Sequence, residues 1–112
     1  MDKRVYRLHA EICRTLSNPK RLEILNLLRD GEKSVSELVQ LSDINQSNLS
    51  QHLAILRGKG IVTTRREGVN IYYSINNPKI IQAFDIMREI LREQLAENEK
   101  LAKEIKIGGV TH

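Results

Sequence analysis

Between Gly58 and Gly60 the chain changes its hydrophobic period, and few folds accommodate what stands on either side. Upstream, apolar residues recur at spacings of three and four, the mark of helices buried along one face. Downstream, in IVTTRREGVNIYYSI, Ile71, Tyr73 and Ile75 alternate with Tyr72 and Ser74, and β-branched residues dominate. That pattern predicts a β-hairpin with its turn around REGVN and Arg65 and Arg66 at its tip.

The upstream helices are punctuated clearly. Val5, Leu8, Ile12 and Leu16 form the stripe of a first helix ending near Ser17. In SNPKRLEILNLLRDG, Asn18 suits an N-cap, Pro19 the first helical position and Asp30-Gly31 a stop, with Ile24, Leu25 and Leu28 buried. SVSE at 34 to 37 matches a capping box and opens a short helix to about Leu41, buried through Val35, Leu38 and Val39. After the polar connector SDIN, Asn45 can cap a further helix running to about Arg57. Two short helices joined by so brief a connector are a helix-turn-helix candidate, and a hairpin directly after them is the plan of a winged helix.

The last of these helices contains NQSNLSQHL. Leu49, Leu53 and Leu56 fall on one side of it, while Ser47, Asn48 and Gln51 gather on the other. A merely solvated face would carry Lys and Glu. Short amides and hydroxyls instead match the donor and acceptor pattern of base edges in a DNA major groove. A basic balance agrees, since 18 Lys plus Arg against 14 Asp plus Glu give a net charge of +4, which favours a polyanionic partner.

From Asn77-Pro78 the helical period returns through Ile80, Phe84, Met87, Leu91 and Leu95, with Leu101 and Ile105 as an extension and Gly108-Gly109 marking its end. With 112 residues the chain is expected to form one domain, 1–112, whose core is too small to cover two long terminal stripes. Terminal helices at about 3–17 and 78–105 are therefore read as a homodimer interface built on Val5, Leu8, Ile12, Phe84, Met87, Leu91 and Leu95. The other reading packs them on their own domain. A charged N-terminus, one cysteine and no apolar run long enough for a bilayer point to a cytoplasmic protein without a membrane partner.

The pieces NPKRLEIL, QSNLSQHLAILR and GIVTTRREGVNIYYSI, in this order and spacing, resemble the ArsR/SmtB family of prokaryotic winged-helix repressors across nearly all of residues 5 to 95. The resemblance implies a homodimer that holds double-stranded operator DNA through paired recognition helices and wings and leaves it on a signal. It matches Gln46, Ser47, Ser50 and Gln51 to positions directed at the major groove, with Asn48 beside them. His52 stands where the family often has a second polar residue; its helical angle, nearer Leu49 than Gln51, equally suits a half-buried flank. Arg65 and Arg66 would reach phosphate or the minor groove, and Arg57 or Lys59 the backbone, although an ordinary solvated surface also accommodates some of these cations.

Many members of that family sense metals, yet no metal site or cofactor is expected here. The family's cysteine pair maps onto Ser34 and Ser36, and the last helix holds no histidine, only Asp85, Glu89, Glu93 and Glu97. His9 and Cys13 share a face of the first helix and can be read as half a metal site or as a small buried residue beside a surface imidazole. As a lone thiol, Cys13 leaves an intersubunit disulfide or a modified sulfur as a redox signal. The expected function is a sequence-specific transcription regulator, a repressor released from an inverted-repeat operator by a signal the sequence does not name. The alternative is a winged-helix module that docks on protein, for which Tyr72 is the one exposed aromatic candidate. No Gly-rich phosphate loop or nucleophile paired with a base supports an enzyme.

Overall fold

The computed structural model describes residues 1–96, 101, 103–107, 110 and 111, in two compact units, Met1–Asn76 and Asn77–His112. In the first unit, helix α1 (Lys3–Leu16) is followed by α2 (Pro19–Leu27), a 3-10 turn over Leu28–Asp30, strand β1 (Lys33–Ser34), α3 (Val35–Ser42), α4 (Gln46–Gly58), and strands β2 (Val62–Glu67) and β3 (Asn70–Ile75).

The caps read from sequence are made. The Asn18 side chain accepts from the N–H groups of Lys20 and Arg21 at 2.9 and 3.2 Å. The Ser34 hydroxyl accepts from the Glu37 N–H at 3.2 Å while Glu37 Oε1 accepts from the Ser34 N–H at 3.0 Å, a complete capping box. Asn45 Oδ1 accepts from the Asn48 N–H at 2.9 Å and opens α4. After the 3-10 turn, Gly31 adopts φ 136°, a conformation that disfavours any side chain, and so ends the α2 segment where Asp30-Gly31 predicted.

Ile24, Leu25, Leu28, Leu38, Leu49, Leu53 and Leu56, each at most 2% exposed, fill the space among α2, α3 and α4, and Ile61 and Val62 join them below the sheet. Burial of this kind stabilises by about 1.5–3 kcal/mol per side chain and forces the opposite side of α4 outward. Val35 and Val39, expected to be buried, are half-buried at the edge of this core.

The sheet is antiparallel in the order β1-β3-β2. In the β2–β3 hairpin Val62 faces Ile75, Arg65 faces Tyr72, Arg66 faces Ile71 and Glu67 faces Asn70. Gly68, at φ 63°, and Val69 make the two-residue turn. Arg65 and Arg66 therefore lie on β2 and not at the tip, which corrects the sequence reading; alternation along a strand sends them to opposite faces. The short β1 was not foreseen.

In the second unit α5 spans Lys79–Gln94 and ends at Leu95, whose N–H donates to the carbonyls of Glu93 and Leu91. The continuous extension to Ile105 is corrected: Leu101 is helical again, but Lys106–Ile107 (β4) pairs antiparallel with Val110–Thr111 (β5). Glu97 and Gly108-Gly109 lie outside the described residues. No described helix is long and apolar enough to cross a membrane.

Candidate nucleic-acid interface

Helix α4 sorts its polar residues by angle. Ser47 and Gln51 are exposed on the side away from Leu49 and Leu53, and Gln46 and Ser50 are exposed toward the wing. There Gln46 and Ser50, with Ser34, Ser36, Val69, Asn70, Ile71 and Tyr73, border an open groove of about 350 Å³. Its walls are amides, hydroxyls and apolar surface, with no ionised side chain. The Ser34 hydroxyl is committed to its cap, whereas Ser36 is exposed.

On the other flank Asn48 and His52 are half-buried. The His52 Nδ1 is enclosed without a hydrogen-bond partner, as is Nε of Arg21. Burial, then the cationic charge of Arg21 and Lys20, holds the His52 pKa below its ordinary value, so the ring is neutral at pH 7. This is the flank position that its helical angle allowed. It also brings out two residues that sequence reasoning passed over: Lys20 and Arg21, seen only as the start of α2, bring positive charge to one side of α4. The signal was the KR pair directly after the Asn-Pro cap, but only the packing of α2 on α4 places it.

The four cations singled out from sequence have separate fates. Arg57 is exposed in the last turn of α4. Lys59, just beyond, is ion-paired with Glu11 of α1, and that contact lowers the Glu11 pKa. Arg65, itself exposed, is bracketed by acids: its Nε donates to Glu32 Oε2 at 3.1 Å, Nη2 to Glu32 Oε1, and Nη1 to Glu67 Oε2 at 2.7 Å. Its guanidinium lies 4.8 Å above the centre of the Tyr72 ring, so the aromatic considered for protein docking is covered. The two carboxylates push the Arg65 pKa further up, Glu32 most. Arg66 is exposed and makes no ion pair or hydrogen bond among the described residues.

Val5, Leu8 and Ile12 on α1 are exposed, and on α5 so are Met87 and Leu91, with Ile90, which the sequence places beside their stripe, and Ile86, which the sequence reading did not single out. Phe84 is different: at 9% exposure it is already buried within the chain, and Leu95 is half-buried. Cys13 and His9 are both exposed, so the thiol is not a core residue of the single chain. Among the described residues no three His, Cys, Asp or Glu side chains converge as a metal site.

The family described as "Bacterial regulatory protein, arsR family" matches residues 18–64, from the cap of α2 into β2. An uncharacterised HTH-type transcriptional regulator of Mycobacterium tuberculosis is 38% identical over 107 residues, covering 94% of this chain and 93% of that protein. Its crystal structure superposes with a TM-score of 0.76 at 39% identity, over 84% of this chain and 95% of that one. The transcriptional repressor PagR of Bacillus anthracis is 43% identical over 72 residues, 63% of this chain and 72% of that protein. A solution structure described as the homodimeric winged helix-turn-helix DNA-binding domain of a possible ArsR-family transcriptional regulator from Mycobacterium bovis matches with a TM-score of 0.75 at 29% identity, over 85% of this chain and 88% of that one. With the helix-turn-helix, the wing and near full-length relatives in agreement, the chain belongs to the arsR family of bacterial regulatory proteins and is a winged helix-turn-helix, DNA-binding transcriptional regulator.

Proposed function

We propose that the protein acts in the cytoplasm as a homodimeric repressor, seating two copies of α4 in successive major grooves of an inverted-repeat operator. The observation that carries this reading is the uncharged, hydrogen-bonding face of α4, Gln46, Ser47, Ser50 and Gln51, standing exposed beside the wing. Gln is suited to bidentate contact with adenine, and Ser accepts several bases, so these side chains supply specificity. Arg57, Arg66, Lys20 and Arg21 supply salt-dependent affinity through phosphates. Asn48 and His52 border the reading face. Lys59 and Arg65, already paired with carboxylates, contribute less directly.

The exposed apolar faces of α1 and α5 serve as the surfaces between copies, and a two-fold dimer spaces its recognition helices by about 34–36 Å. The repressive direction rests on relatives such as PagR. The relatives described above are named as transcriptional regulators and repressors, which favours DNA over a protein-docking role. Release by a signal that is not a metal is part of the proposal, with the exposed Cys13 as its redox candidate.

The test is selection of bound duplexes from a random pool, followed by fluorescence anisotropy of the enriched sequence against a scrambled one. Enrichment of an inverted repeat with half-sites one helical turn apart is the expected result. A pool that stays unenriched, with binding equal on both duplexes, would sink the operator reading. The same titration after mild oxidation, on wild type and Cys13→Ser, decides the thiol: weakening confined to wild type is expected of a redox switch, whereas equal binding reduces Cys13 to a surface residue.

A further inference from the structure

We propose that the two wing arginines divide their work: Arg66 meets the DNA backbone, whereas Arg65 is a positioning residue that, gripped by Glu32, sets where the wing stands. The inference rests on the DNA-reading role proposed above and gives the wing a DNA-facing side.

Strand pairing comes first. Arg65 sits opposite Tyr72 and Arg66 opposite Ile71, so the two point to opposite faces of the hairpin. The Arg66 face is shared with Ile71 and Tyr73, which border the groove together with Gln46 and Ser50 of α4. A duplex lying along α4 meets that face. The opposite face presents Arg65 between Glu32 and Glu67, two carboxylates to one guanidinium, and this local excess of negative charge repels phosphate.

What Arg65 holds is equally specific. Strand β1 supports the hairpin only at Lys33↔Tyr73 and Ser34↔Tyr72; the rungs Arg66↔Ile71 and Glu67↔Asn70 extend beyond it as two strands alone. A free two-stranded hairpin is marginal in water. Arg65 lies at the last rung that β1 supports. There all three of its nitrogens donate to carboxylates, two of them side by side on Glu32, and its plane rests on Tyr72. A forked contact with stacking fixes both distance and orientation, which a lone surface ion pair does not. Glu32 belongs to the segment just before β1, so the grip ties the base of the protruding hairpin to the body of the unit.

The experiment compares Arg65→Gln, Arg66→Gln and Glu32→Gln by two readouts. In anisotropy titrations with a labelled duplex from upstream of the protein's own gene, Arg66→Gln is expected to reduce the slope of log affinity against log salt by about 1.8, the loss of one phosphate contact from each of the two subunits. Arg65→Gln is expected to weaken binding by the same factor at every salt concentration, with the wild-type slope. In the free protein, Arg65→Gln and Glu32→Gln are both expected to speed amide hydrogen exchange at the outer rungs of the wing several-fold, whereas Arg66→Gln leaves it unchanged. A slope loss in Arg65→Gln equal to that of Arg66→Gln overturns the division, as does a wild-type slope in Arg66→Gln. Unchanged exchange in both Arg65→Gln and Glu32→Gln overturns the positioning role. Failure of the wild type to bind any duplex would count against the DNA-reading role itself, while the exchange measurement would still decide the grip.

Discussion

His52 shows how one residue in a reading helix can be tied to the interior. Its depressed pKa has a definite sign for stability. The unfolded chain takes up a proton near 6.5, the folded chain only at lower pH, so this contribution is complete above 6.5 and is lost as pH falls through the folded value. Urea titrations at about pH 7.5 and 5.5 should show the wild-type midpoint falling, and His52→Asn losing less over the same interval. On the exposed reading face of the same helix, Gln51→Ala should leave the urea midpoint unchanged. It should reduce discrimination against a mismatched half-site by about 1–3 kcal/mol, read as a ratio of affinities for matched and mismatched duplexes. Beneath both, Leu53 is completely buried, and Leu53→Ala is expected to cost about 2–5 kcal/mol in urea denaturation through the cavity it leaves.

At the scale of elements, local chemistry was legible and tertiary chemistry was not. Asn18-Pro19, the Ser34 and Glu37 capping box, Asn45 and the change of period after Gly58 each announced a boundary because cap, turn and alternation act over a few residues. Replacing Asn45 by Ala should therefore lower stability by about 1 kcal/mol, seen as a shifted urea midpoint, since α4 loses its N-terminal acceptor. The groove-side amides were equally legible, as positions on a wheel. The grip on Arg65 was not, because Glu32 stands 33 residues away and meets it only once β1 and the hairpin have assembled. The two-residue β1 is not legible for another reason: Ser34 serves it and caps α3 at once, and the capping signature is the stronger of the two. KIGGVT near the end carries a two-residue Gly-Gly link between short apolar pieces, but two residues are too few to show alternation, so in sequence Gly108-Gly109 reads as a helix stop and not as a hairpin turn.

For the whole molecule, the apolar residues attributed to an interface between copies fall into two groups that behave differently. Leu8 and Met87 are 61% and 63% exposed in the single chain, whereas Phe84 is 9% exposed. Leu8→Glu or Met87→Glu should therefore leave the fold of the single chain intact, seen as an unchanged circular-dichroism spectrum, while shifting sedimentation from dimer to monomer, lowering the urea midpoint only by the association lost, and weakening operator binding. Phe84→Ala should instead destabilise the fold by about 3–5 kcal/mol. The sheet carries a further consequence, in time. Lys33 and Tyr73 are neighbours in space but about forty positions apart in the chain, so the helices can form from local contacts long before the third strand can close. On the ribosome, β1 has no partner until residues through Ile75 have emerged, and the wing is the last part of the reading surface to be secured.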